Sequence, residues 1–548
     1  MWSLIPLIGI IILLHLLYGL YIVFKHACNA VHRGCAPLPA YPSDLLGWNT
    51  LKELLAADKA HRIPPLFIDR FSRMETREKR RVSTYVTRQA LRDVIITCDP
   101  KNVQALLATQ FKDFELGGSR RKSLHPLLGN GIVRFPSPGT HYHQLTKAKF
   151  TSDGEHWSRS RALLRPQFTR GQISDLDLEE RHVQHAFRAM PVDPATGWTS
   201  AIDIQTLFFR LTIDSATEFL FGESVNSQSA ALDTNQPDSF SANFDRGQQI
   251  AGQCARLDKL HWLARTKESR HVNAQVHAYV DQFVRAALNH QQQSRQPGSP
   301  TPPKQQHGLF LQQLAATTQD PIELRSQLLN VLLAGRDTTA SLLSWSILLL
   351  ARHRDVCAKL RAAILTAFGP ADSPDTTTTT ITTTTPPISF TSLKDCRYLQ
   401  AFLSEVLRLY PIVPNNRRTA VRDTTIPRGG GPDGSRPVYI HRGQQVLYSV
   451  FAMHRRVDLW GPDADVFRPE RWIERTGRRV GWEYLPFNGG PRICIGQQFA
   501  LTEAGYVLVR LLQRFGTVED VFPEREISYA LNLTSAPGEN VTVRMKVA

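Results

Sequence analysis

The sequence predicts a mainly α-helical protein with small β-sheets, preceded by an apolar N-terminal segment. Helical periodicity dominates most of the 548 residues. The longest predicted helix begins at Asp320 and Pro321, a favourable N-cap and first-turn pair, and continues to about Asp355. Shorter strand-like runs lie within residues 436–450. Residues 43–548 show no internal repeat and are predicted to form one large domain.

The N-terminus carries an apolar run that predicts a membrane span. Residues Leu4 to Phe24 run without a charge, and about 20 apolar residues suffice to cross a bilayer. Because the positive charges follow the run, we expect an uncleaved signal-anchor over residues 1–25, with the C-terminal bulk in the cytosol. Residues 26–42 are predicted to be a stiff hinge, since the stretch 35–42 is rich in proline.

Charge and cysteine usage exclude several classes of protein. The 65 basic and 49 acidic residues give a net charge of +16, which suits an anionic membrane surface or an acidic protein partner. Nucleic acid is not predicted as a partner, because the sequence has no dense basic helix and no zinc-knuckle spacing. The seven cysteines form no CxxC pair. Reduced thiols therefore fit better than a disulfide framework or a structural zinc site.

Three segments break the helical pattern. Residues 290–308 are polar and rich in proline, and residues 375–387 contain a threonine tract. Both are predicted to be disordered or surface loops. Residues 133–149 have two prolines, scattered basic residues and a His-Tyr-His triplet, but no period. A metal site at that triplet would need further ligands, and none is evident.

One cysteine stands in an unusual context. Cys494 lies in the segment 487–515, where three nearby glycines let the backbone bend tightly and approach a partner closely. A helix is predicted to begin at or just after Cys494, and a helix N-terminus stabilises a thiolate. Arg492 adds a positive charge that can pair with an anionic group. Two interpretations are open at this point: a thiolate ligand for a large planar metal cofactor, or a buried structural cysteine.

The pattern F-x-x-G-x-R-x-C-x-G around this cysteine resembles the haem-ligand loop of cytochrome P450 monooxygenases. It is filled by Phe487, Gly490, Arg492, Cys494 and Gly496. The resemblance implies that Cys494 is the axial ligand of a haem b iron. It also implies that Phe487, Arg492 and Gly496 help to bind that cofactor.

Three further motifs of that family follow its order along the chain. AGRDTT (334–339) resembles the oxygen-activation motif, EVLR (405–408) resembles the E-x-x-R pair, and FRPERW (467–472) resembles the segment that completes their charge network. Any one of these motifs is weak, but the ordered set makes chance a poor explanation. The resemblance covers nearly the whole chain and implies the cytochrome P450 fold.

The AGRDTT motif also has a physical interpretation. Gly335 removes a side chain where a ligand must lie close to the helix, and Thr338 can bond its own helix backbone and open a notch. Asp337 and Thr338 then supply an acid and an alcohol, which with water can relay protons. Without the Cys494 loop, an ordinary helix with a solvent-facing Arg336–Asp337 pair would be the simpler interpretation.

The EVLR motif places two opposite charges on one helix face. Glu405 and Arg408 are three residues apart and lie between leucines. If they are buried, neither charge is tolerable alone, and both need a further partner. Arg471 is the candidate, and the resulting triad is expected to be structural. An exposed pair on a helix surface is the alternative.

Cations are also expected around the cofactor carboxylates. Trp157 and Arg161 share a helix face, and in the family this pair meets the haem propionates. Arg418 is similar to another propionate contact, although Arg417 is adjacent and is easily confused with it. Together with Arg492, these arginines would balance two carboxylates. Surface arginines are the alternative for Arg161 and Arg418.

The resemblance further implies the reaction and its partners. One oxygen atom from O2 is expected to enter a C–H bond of a lipophilic substrate. The sequence has no convincing flavin or nicotinamide motif. Electrons are therefore expected from NADPH through a separate flavoprotein, an NADPH–cytochrome P450 reductase. The implied location is the endoplasmic reticulum membrane, with a single span and a cytosolic catalytic domain.

The substrate prediction rests on similarity to one branch of the family. Three stretches, 207–224, 428–434 and 487–504, resemble the fungal branch that hydroxylates n-alkanes and fatty acids, often at the terminal carbon. By family analogy the substrate pocket includes Ala334, Ile412, Val413 and Leu533. Two alternatives remain open. One is oxidation of a secondary metabolite or xenobiotic, and the other is an inactive haem-binding product.

The inactive product would arise if residues 133–149 disrupt folding. Related chains run from LLG-x-GI straight into F-T-x-D-G-x-x-W, and this sequence matches both sides of the segment but has extra residues between them. Codons for Val133 begin with GT, as an intron begins. A codon for Lys149 can end in AG, as an intron ends. A retained intron and a natural loop insertion are both open. The sequons at Asn532 and Asn540 are predicted to be unused, because the topology leaves them cytosolic.

Overall fold

The computed structural model describes residues 4–129, 154–168, 176–230, 240–294, 309–370, 388–474 and 480–548. Helices dominate these residues, as predicted. They are α1 (Leu4–His32), α2 (Trp48–Lys59), α3 (Ile63–Glu78), α4 (Pro100–Gln104), α5 (Gly118–Leu128), α6 (Gly154–Leu164), α7 (Asp177–Arg188), α8 (Ile204–Phe221), α9 (Ser227–Ala230) and α10 (Phe240–Leu257). They continue with α11 (Lys267–Ser294), α12 (Leu309–Thr317), α13 (Pro321–Arg352), α14 (Arg354–Phe368), α15 (Phe390–Asp395), α16 (Arg397–Leu409), α17 (Val450–Met453), α18 (Val457–Trp460), α19 (Glu470–Glu474) and α20 (Gln497–Arg514).

The strands of the described residues form four small sheets. They are β1 (Thr84–Gln89), β2 (Arg92–Thr97), β3 (Phe114–Glu115), β4 (Ile202–Asp203), β5 (Asn415–Ala420), β6 (Thr424–Gly430), β7 (Arg436–Ile440), β8 (Gln445–Ser449), β9 (Phe515–Asp520), β10 (Tyr529–Leu531), β11 (Ser535–Pro537) and β12 (Thr542–Val547). The largest sheet has the order β1-β2-β8-β5-β3, with β2 and β8 parallel. The smaller sheets are β4-β12-β9, β6-β7 and β10-β11. The strands predicted within residues 436–450 are confirmed as β7 and β8.

The N-terminal helix is longer than the sequence predicts. α1 continues to His32, so residues 26–32 are helical and not part of a hinge. The reason is that this stretch contains no proline or glycine, and the first glycine after it is Gly34. Residues 35–42 are non-helical. Among the helices that the structure describes, none is both long and apolar enough to cross a membrane, so the signal-anchor remains a proposal.

The three segments without helical period lie largely outside the described residues. Residues 133–149 and 375–387 lie wholly outside them. Of the loop predicted over residues 290–308, residues 290–294 instead belong to α11. Glutamine is a good helix former, and the run of glutamines after His290 can therefore continue the helix.

The long helix α13 crosses the core and carries the predicted oxygen-activation motif. The predicted N-cap is confirmed, because the Asp320 side chain accepts hydrogen bonds from the N–H groups of Ile322 and Glu323. The helix ends slightly earlier than predicted, since His353 leaves the helical conformation and α14 begins directly after it. α13 packs against α8, α11 and α20, and its Trp345 is fully buried.

Candidate active site

The segment that carries Cys494 folds into a tight loop before α20. Its ends are joined by a hydrogen bond in which the Cys494 N–H donates to the Phe487 carbonyl oxygen, 2.9 Å away. Gly490 has a φ of 65°, which glycine adopts without strain. A Cβ at that position would also collide with the backbone carbonyl of Leu107. Gly496 is the N-cap of α20, so the loop presents Cys494 just before the helix begins.

The exposure of Cys494 separates it from most of the other cysteines. Cys494 is exposed, whereas Cys98, Cys357 and three others are buried. Burial raises the pKa of Cys98 to about 12 and that of Cys357 to about 11, which keeps these thiols protonated. A buried structural role for Cys494 is therefore wrong. Burial lowers the pKa of Arg161, while the negative charge that Cys494 can carry acts to raise it, so the two side chains interact electrostatically.

Arg492 of the loop lies close to Arg161 and to two aromatic side chains. The Arg492 guanidinium lies 4.6 Å from the ring centroid of Trp157 and 5.7 Å from that of Phe111. Arg161 lies 5.9 Å from the Trp157 ring, and its Nη1 donates to the Ile493 carbonyl at 2.9 Å. The structure thus brings Trp157, Arg161 and Arg492 together beside the cysteine. Their contact with haem propionates stays a prediction.

Arg418 is buried and retains unused hydrogen-bonding capacity. Only 2% of its surface is exposed. Its Nη1 donates to the Arg417 carbonyl at 2.8 Å and to the Asn416 side-chain oxygen at 3.3 Å, but its Nε has no partner among the described residues. Arg120 donates to the same Asn416 oxygen at 2.9 Å. Burial, followed by repulsion from Arg418, lowers the pKa of Arg120 to about 10.

The alternation of strand β5 separates the two adjacent arginines. Successive side chains of a strand point to opposite faces. Arg417 reaches Gln445 at 3.5 Å, and the charge of Asp258 acts on it. Arg418 instead lies 5.6 Å from the Tyr448 ring, on the side where it shares the Asn416 oxygen with Arg120. Sequence reasoning missed Arg120, because a Ser-Arg-Arg-Lys run gives no sign of which side chain turns inward.

The predicted oxygen-activation motif lies on a partly open face of α13. Ala334, Gly335 and Thr338 are half-buried, whereas most of their neighbours on the helix are buried. The Thr338 hydroxyl donates to the Ala334 carbonyl oxygen at 2.5 Å, the back-bond that the sequence predicts. A Cβ at Gly335 would meet no heavy atom of the described residues within 4 Å. This face of the helix can therefore accept a ligand close to its backbone.

Asp337 turns away from solvent and into a charge network. The Arg336 guanidinium donates to the Asp337 carboxylate at 3.1 Å and also to Asp245 of α10. Arg336 and Asp337 are both buried, so the alternative of a solvent-facing pair is wrong. Burial raises the pKa of Asp337 from 3.8 to about 6, although the charge of Arg336 offsets part of this effect. Asp337 can therefore exchange a proton close to neutral pH.

The raised pKa of Asp337 predicts a pH dependence of stability. Between pH about 4 and about 6 the folded state holds a proton that the unfolded state has lost, so folding weakens as the pH rises. The free energy of unfolding of the wild type, relative to Asp337→Asn, should fall by on the order of 3 kcal/mol across this window. Denaturant titrations at several pH values measure it. A constant difference between the two proteins would contradict the burial effect.

The predicted charge triad is assembled in the core. Arg408 donates to both carboxylate oxygens of Glu405 at 2.8 Å, and Arg471 Nε donates to one of them at 3.3 Å. All three side chains are buried. Two further members were not predicted: Trp472 donates to Glu405 at 2.9 Å, and Asp463 accepts from Arg471 at 2.9 Å. The alternative of an exposed surface pair is wrong.

A buried histidine connects this triad to the segment that leads to the cysteine loop. His454 Nδ1 lies 3.0 Å from the Arg408 carbonyl oxygen, and its Nε2 accepts from the Leu485 N–H at 2.9 Å. Burial lowers the pKa of His454 to about 3, so the ring is neutral and one nitrogen can accept while the other donates. The Tyr484 hydroxyl also donates to the Ser404 carbonyl at 3.0 Å. The triad therefore holds the backbone just before the loop.

The predicted pocket residues lie on α13, in the segment before β5 and in the turn between β10 and β11. A hydrogen bond joins the last two. The Ser535 N–H donates to the Ile412 carbonyl at 2.8 Å, next to the exposed Val413. Leu533 lies in the turn between β10 and β11, and Trp345 of α13 donates to the Ser535 carbonyl at 3.2 Å. Ala334 lies about three turns before Trp345 on the same helix.

Comparisons with known proteins agree with this arrangement. The family model for cytochrome P450 matches residues 123–532. Cytochrome P450 monooxygenase g430 of a Fusarium species is 45% identical over 95% of this chain and 86% of its own length. Cytochrome P450 52A12 of Debaryomyces hansenii is 43% identical over 90% of each chain. The crystal structure of the cytochrome P450DA heme domain shares the fold, with a TM-score of 0.69 at 22% identity, covering 94% of this chain and 98% of that one. The chain therefore belongs to the cytochrome P450 family of monooxygenases.

Proposed function

We propose that this chain is a haem-thiolate monooxygenase that hydroxylates n-alkanes or fatty acids, with Cys494 as the axial ligand of the haem b iron. The observation that carries the assignment is the loop that presents an exposed Cys494 at the start of α20, beside Trp157, Arg161 and Arg492. A helix N-terminus and nearby cations favour the thiolate form that binds iron.

The residues around the loop fit haem b. The group is planar and carries two propionates, and Gly490 lets the loop backbone approach its neighbours closely. Arg418 has a buried Nε without a partner among the described residues, and Arg120, Arg161 and Arg492 add positive charge. Arginine is well suited to bind carboxylates through paired hydrogen bonds. When bound, haem b supplies the iron that activates O2, and thiolate ligation favours cleavage of the O–O bond.

Asp337 and Thr338 are proposed to manage protons at this site. The overall reaction consumes O2, two electrons and two protons, and releases the hydroxylated product and one water. Asp337 can hold a proton near neutral pH because its pKa is raised to about 6. The Thr338 hydroxyl is held by the Ala334 carbonyl, which leaves its oxygen able to accept a hydrogen bond from water.

The proposed substrate class follows from the chemistry of the predicted pocket. Ala334, Ile412, Val413 and Leu533 are all apolar, and apolar linings bind apolar chains mainly by excluding water. The stretches that resemble the fungal branch support alkanes and fatty acids over other lipophiles. The test is a turnover panel with reductase and NADPH. Hydroxylated alkanes or fatty acids are expected, whereas oxidation of aromatic secondary metabolites alone would overturn the substrate assignment.

Helix α1 is the proposed attachment to the endoplasmic reticulum membrane. Many of its large apolar side chains are exposed: Leu13, Leu14, Leu16, Leu17, Tyr18, Leu20, Tyr21, Val23 and Phe24. Exposed apolar surface of this extent favours burial in a lipid phase. Deletion of residues 1–33 should move the protein from the membrane fraction to the soluble fraction. Full retention on membranes would contradict the role of α1.

Electrons are proposed to come from NADPH through a separate flavoprotein reductase. The net charge of +16 suits an acidic docking partner. If charge guides the docking, the rate of electron transfer should fall as salt is added. A rate that does not depend on salt would contradict an electrostatic interface.

A further inference from the structure

A buried tryptophan on α13 is connected to both backbone segments that carry the other predicted pocket residues. Trp345 is 0% exposed. Its indole N–H donates to the Ser535 carbonyl oxygen at 3.2 Å, and the Ser535 N–H donates to the Ile412 carbonyl oxygen at 2.8 Å. One indole therefore links α13 to the start of β11 and, through it, to the segment before β5. The roles proposed above do not use this side chain.

The position of Trp345 along α13 relates it to the proposed reaction site. Trp345 follows Ala334 by eleven residues and Thr338 by seven, a spacing that places all three side chains on one face of a helix. Trp345 lies two turns, or about 10 Å, beyond Thr338. Ala334 and Thr338 are half-buried, whereas the indole is buried. The ring thus follows the partly open part of the face on which the substrate is proposed to react.

Aromatic neighbours fix the orientation of the indole. The Tyr410 ring is stacked on it, with centroids 4.4 Å apart and ring planes at 21°. The Tyr529 ring of β10 lies 5.4 Å away. Aromatic pairs at such distances stabilise each other beyond the surface that they bury. Since Tyr410 precedes Ile412 by two residues and Tyr529 begins β10, the indole packs against the same two segments that its hydrogen bond connects.

The turn between β10 and β11 carries Leu533 close to Ser535. Leu531 pairs with Ser535 in the strand ladder, so residues 532–534 form the turn. Leu533 is half-buried and packs against a hydrophobic cluster that includes Leu333, the residue before Ala334 on α13. Because one residue separates Leu533 from Ser535, the position of Ser535 limits the position of Leu533.

The segment that carries Ile412 has few backbone donors of its own. Pro411 and Pro414 flank it, and a proline has no N–H group to donate. The Ile412 carbonyl oxygen is held by the Ser535 N–H. A shift of Ser535 is therefore expected to move Ile412 as well as Leu533.

We propose that Trp345 is a positioning residue that determines which carbon of an alkyl substrate reaches the reacting site. Its hydrogen bond fixes the distance from α13 to Ile412 and Leu533 of the proposed pocket. Successive CH2 groups of an alkyl chain have nearly equal C–H bonds, so the pocket must select one of them by its shape. Hydrophobic pockets distinguish ligands that differ by one methylene group by about 10- to 200-fold. This inference rests on the proposed function.

The structural part of the proposal can be measured without turnover. Trp345→Phe removes the indole N–H but keeps an aromatic ring beside Tyr410. Hydrogen–deuterium exchange of the full-length holoprotein should become on the order of 5-fold faster in the peptide that covers residues 529–537, as expected for the loss of one hydrogen bond. The matched control is Trp472→Phe, which removes an indole N–H that donates to Glu405 and should leave this peptide unchanged. Unchanged exchange in Trp345→Phe would overturn the proposal.

The selectivity is measured as the distribution of hydroxyl positions in the product from one fatty acid. Trp345→Phe should lower the ratio of the main regioisomer to its neighbours by on the order of 10-fold. The ratio is measured within one sample, so a smaller folded fraction does not change it. Trp472→Phe should therefore lower the stability of the fold but not this ratio. Faster exchange with an unchanged ratio in Trp345→Phe would overturn the positioning role.

A double variant tests whether Trp345 acts through the hairpin. Leu533→Ala should change the ratio by itself, and the addition of Trp345→Phe should change it little further, because the effects of coupled residues do not add. Additive effects on the logarithm of the ratio would overturn the path through Leu533. A wild type that forms no hydroxylated alkane or fatty acid would instead overturn the proposed function, and this inference with it.

Discussion

Replacing Cys494 with serine should abolish both the haem-thiolate absorbance of the reduced carbon-monoxide complex and hydroxylation. The serine hydroxyl stays protonated where a thiol at a helix N-terminus ionises, so the electron-donating ligand is lost. The fold should persist, because Cys494 is exposed and contributes little to the core. The carbon-monoxide difference spectrum of wild type and variant measures the effect.

The matched control is Cys28→Ser, because Cys28 is the other exposed cysteine in the part of the chain that the structure describes. That variant should retain the wild-type spectrum and turnover. An unchanged spectrum in Cys494→Ser would show that another residue binds the iron, and the site assignment would be wrong.

Replacing Glu405 with alanine should destabilise the fold by about 3–5 kcal/mol. The change leaves Arg408 and Arg471 as buried cations, with exposed fractions of 0% and 3%, and removes the acceptor of the Trp472 N–H. Because His454 connects Arg408 to the backbone before the cysteine loop, haem retention should also fall. Denaturant titration gives the free energy of unfolding, and haem transfer to apomyoglobin gives retention.

Glu268→Ala is the control for this change. Glu268 pairs with Arg246 on the surface, where both side chains are more than two-fifths exposed, and exposed pairs of this kind contribute little to stability. If Glu405→Ala lowers the free energy of unfolding no more than Glu268→Ala does, the triad is not a structural element of the core.

Local signals predicted the parts of this fold that depend on neighbouring residues. The Asp320 cap and the start of α13 could be predicted from the sequence, because capping depends only on one side chain and the first backbone N–H groups of the helix. The contact of Glu405 with Arg408 follows from helix spacing. Helix α1 is longer than predicted. The predicted hinge begins at residue 26, but the prolines that indicate it begin only after residue 35.

Contacts between distant elements could not be predicted from the sequence where no family motif marks both partners. Arg120 donates to Asn416 of β5, and Arg336, which pairs with the buried Asp337, also donates to Asp245 of α10. Neither partner is close in sequence, and neither belongs to a motif. The choice between Arg417 and Arg418 also needed the register of β5, since a shift of one residue exchanges the two faces of a strand.

As a monooxygenase, this chain is expected to insert one atom of O2 into a lipophilic substrate. The most direct test supplies isotopically labelled O2 to the full-length protein with reductase, NADPH and a fatty acid or n-alkane, and analyses the product by mass spectrometry. The wild type should form a hydroxylated product that carries one labelled oxygen atom, and Cys494→Ser should form no such product. Oxygen derived from water, or equal product from Cys494→Ser, would contradict it.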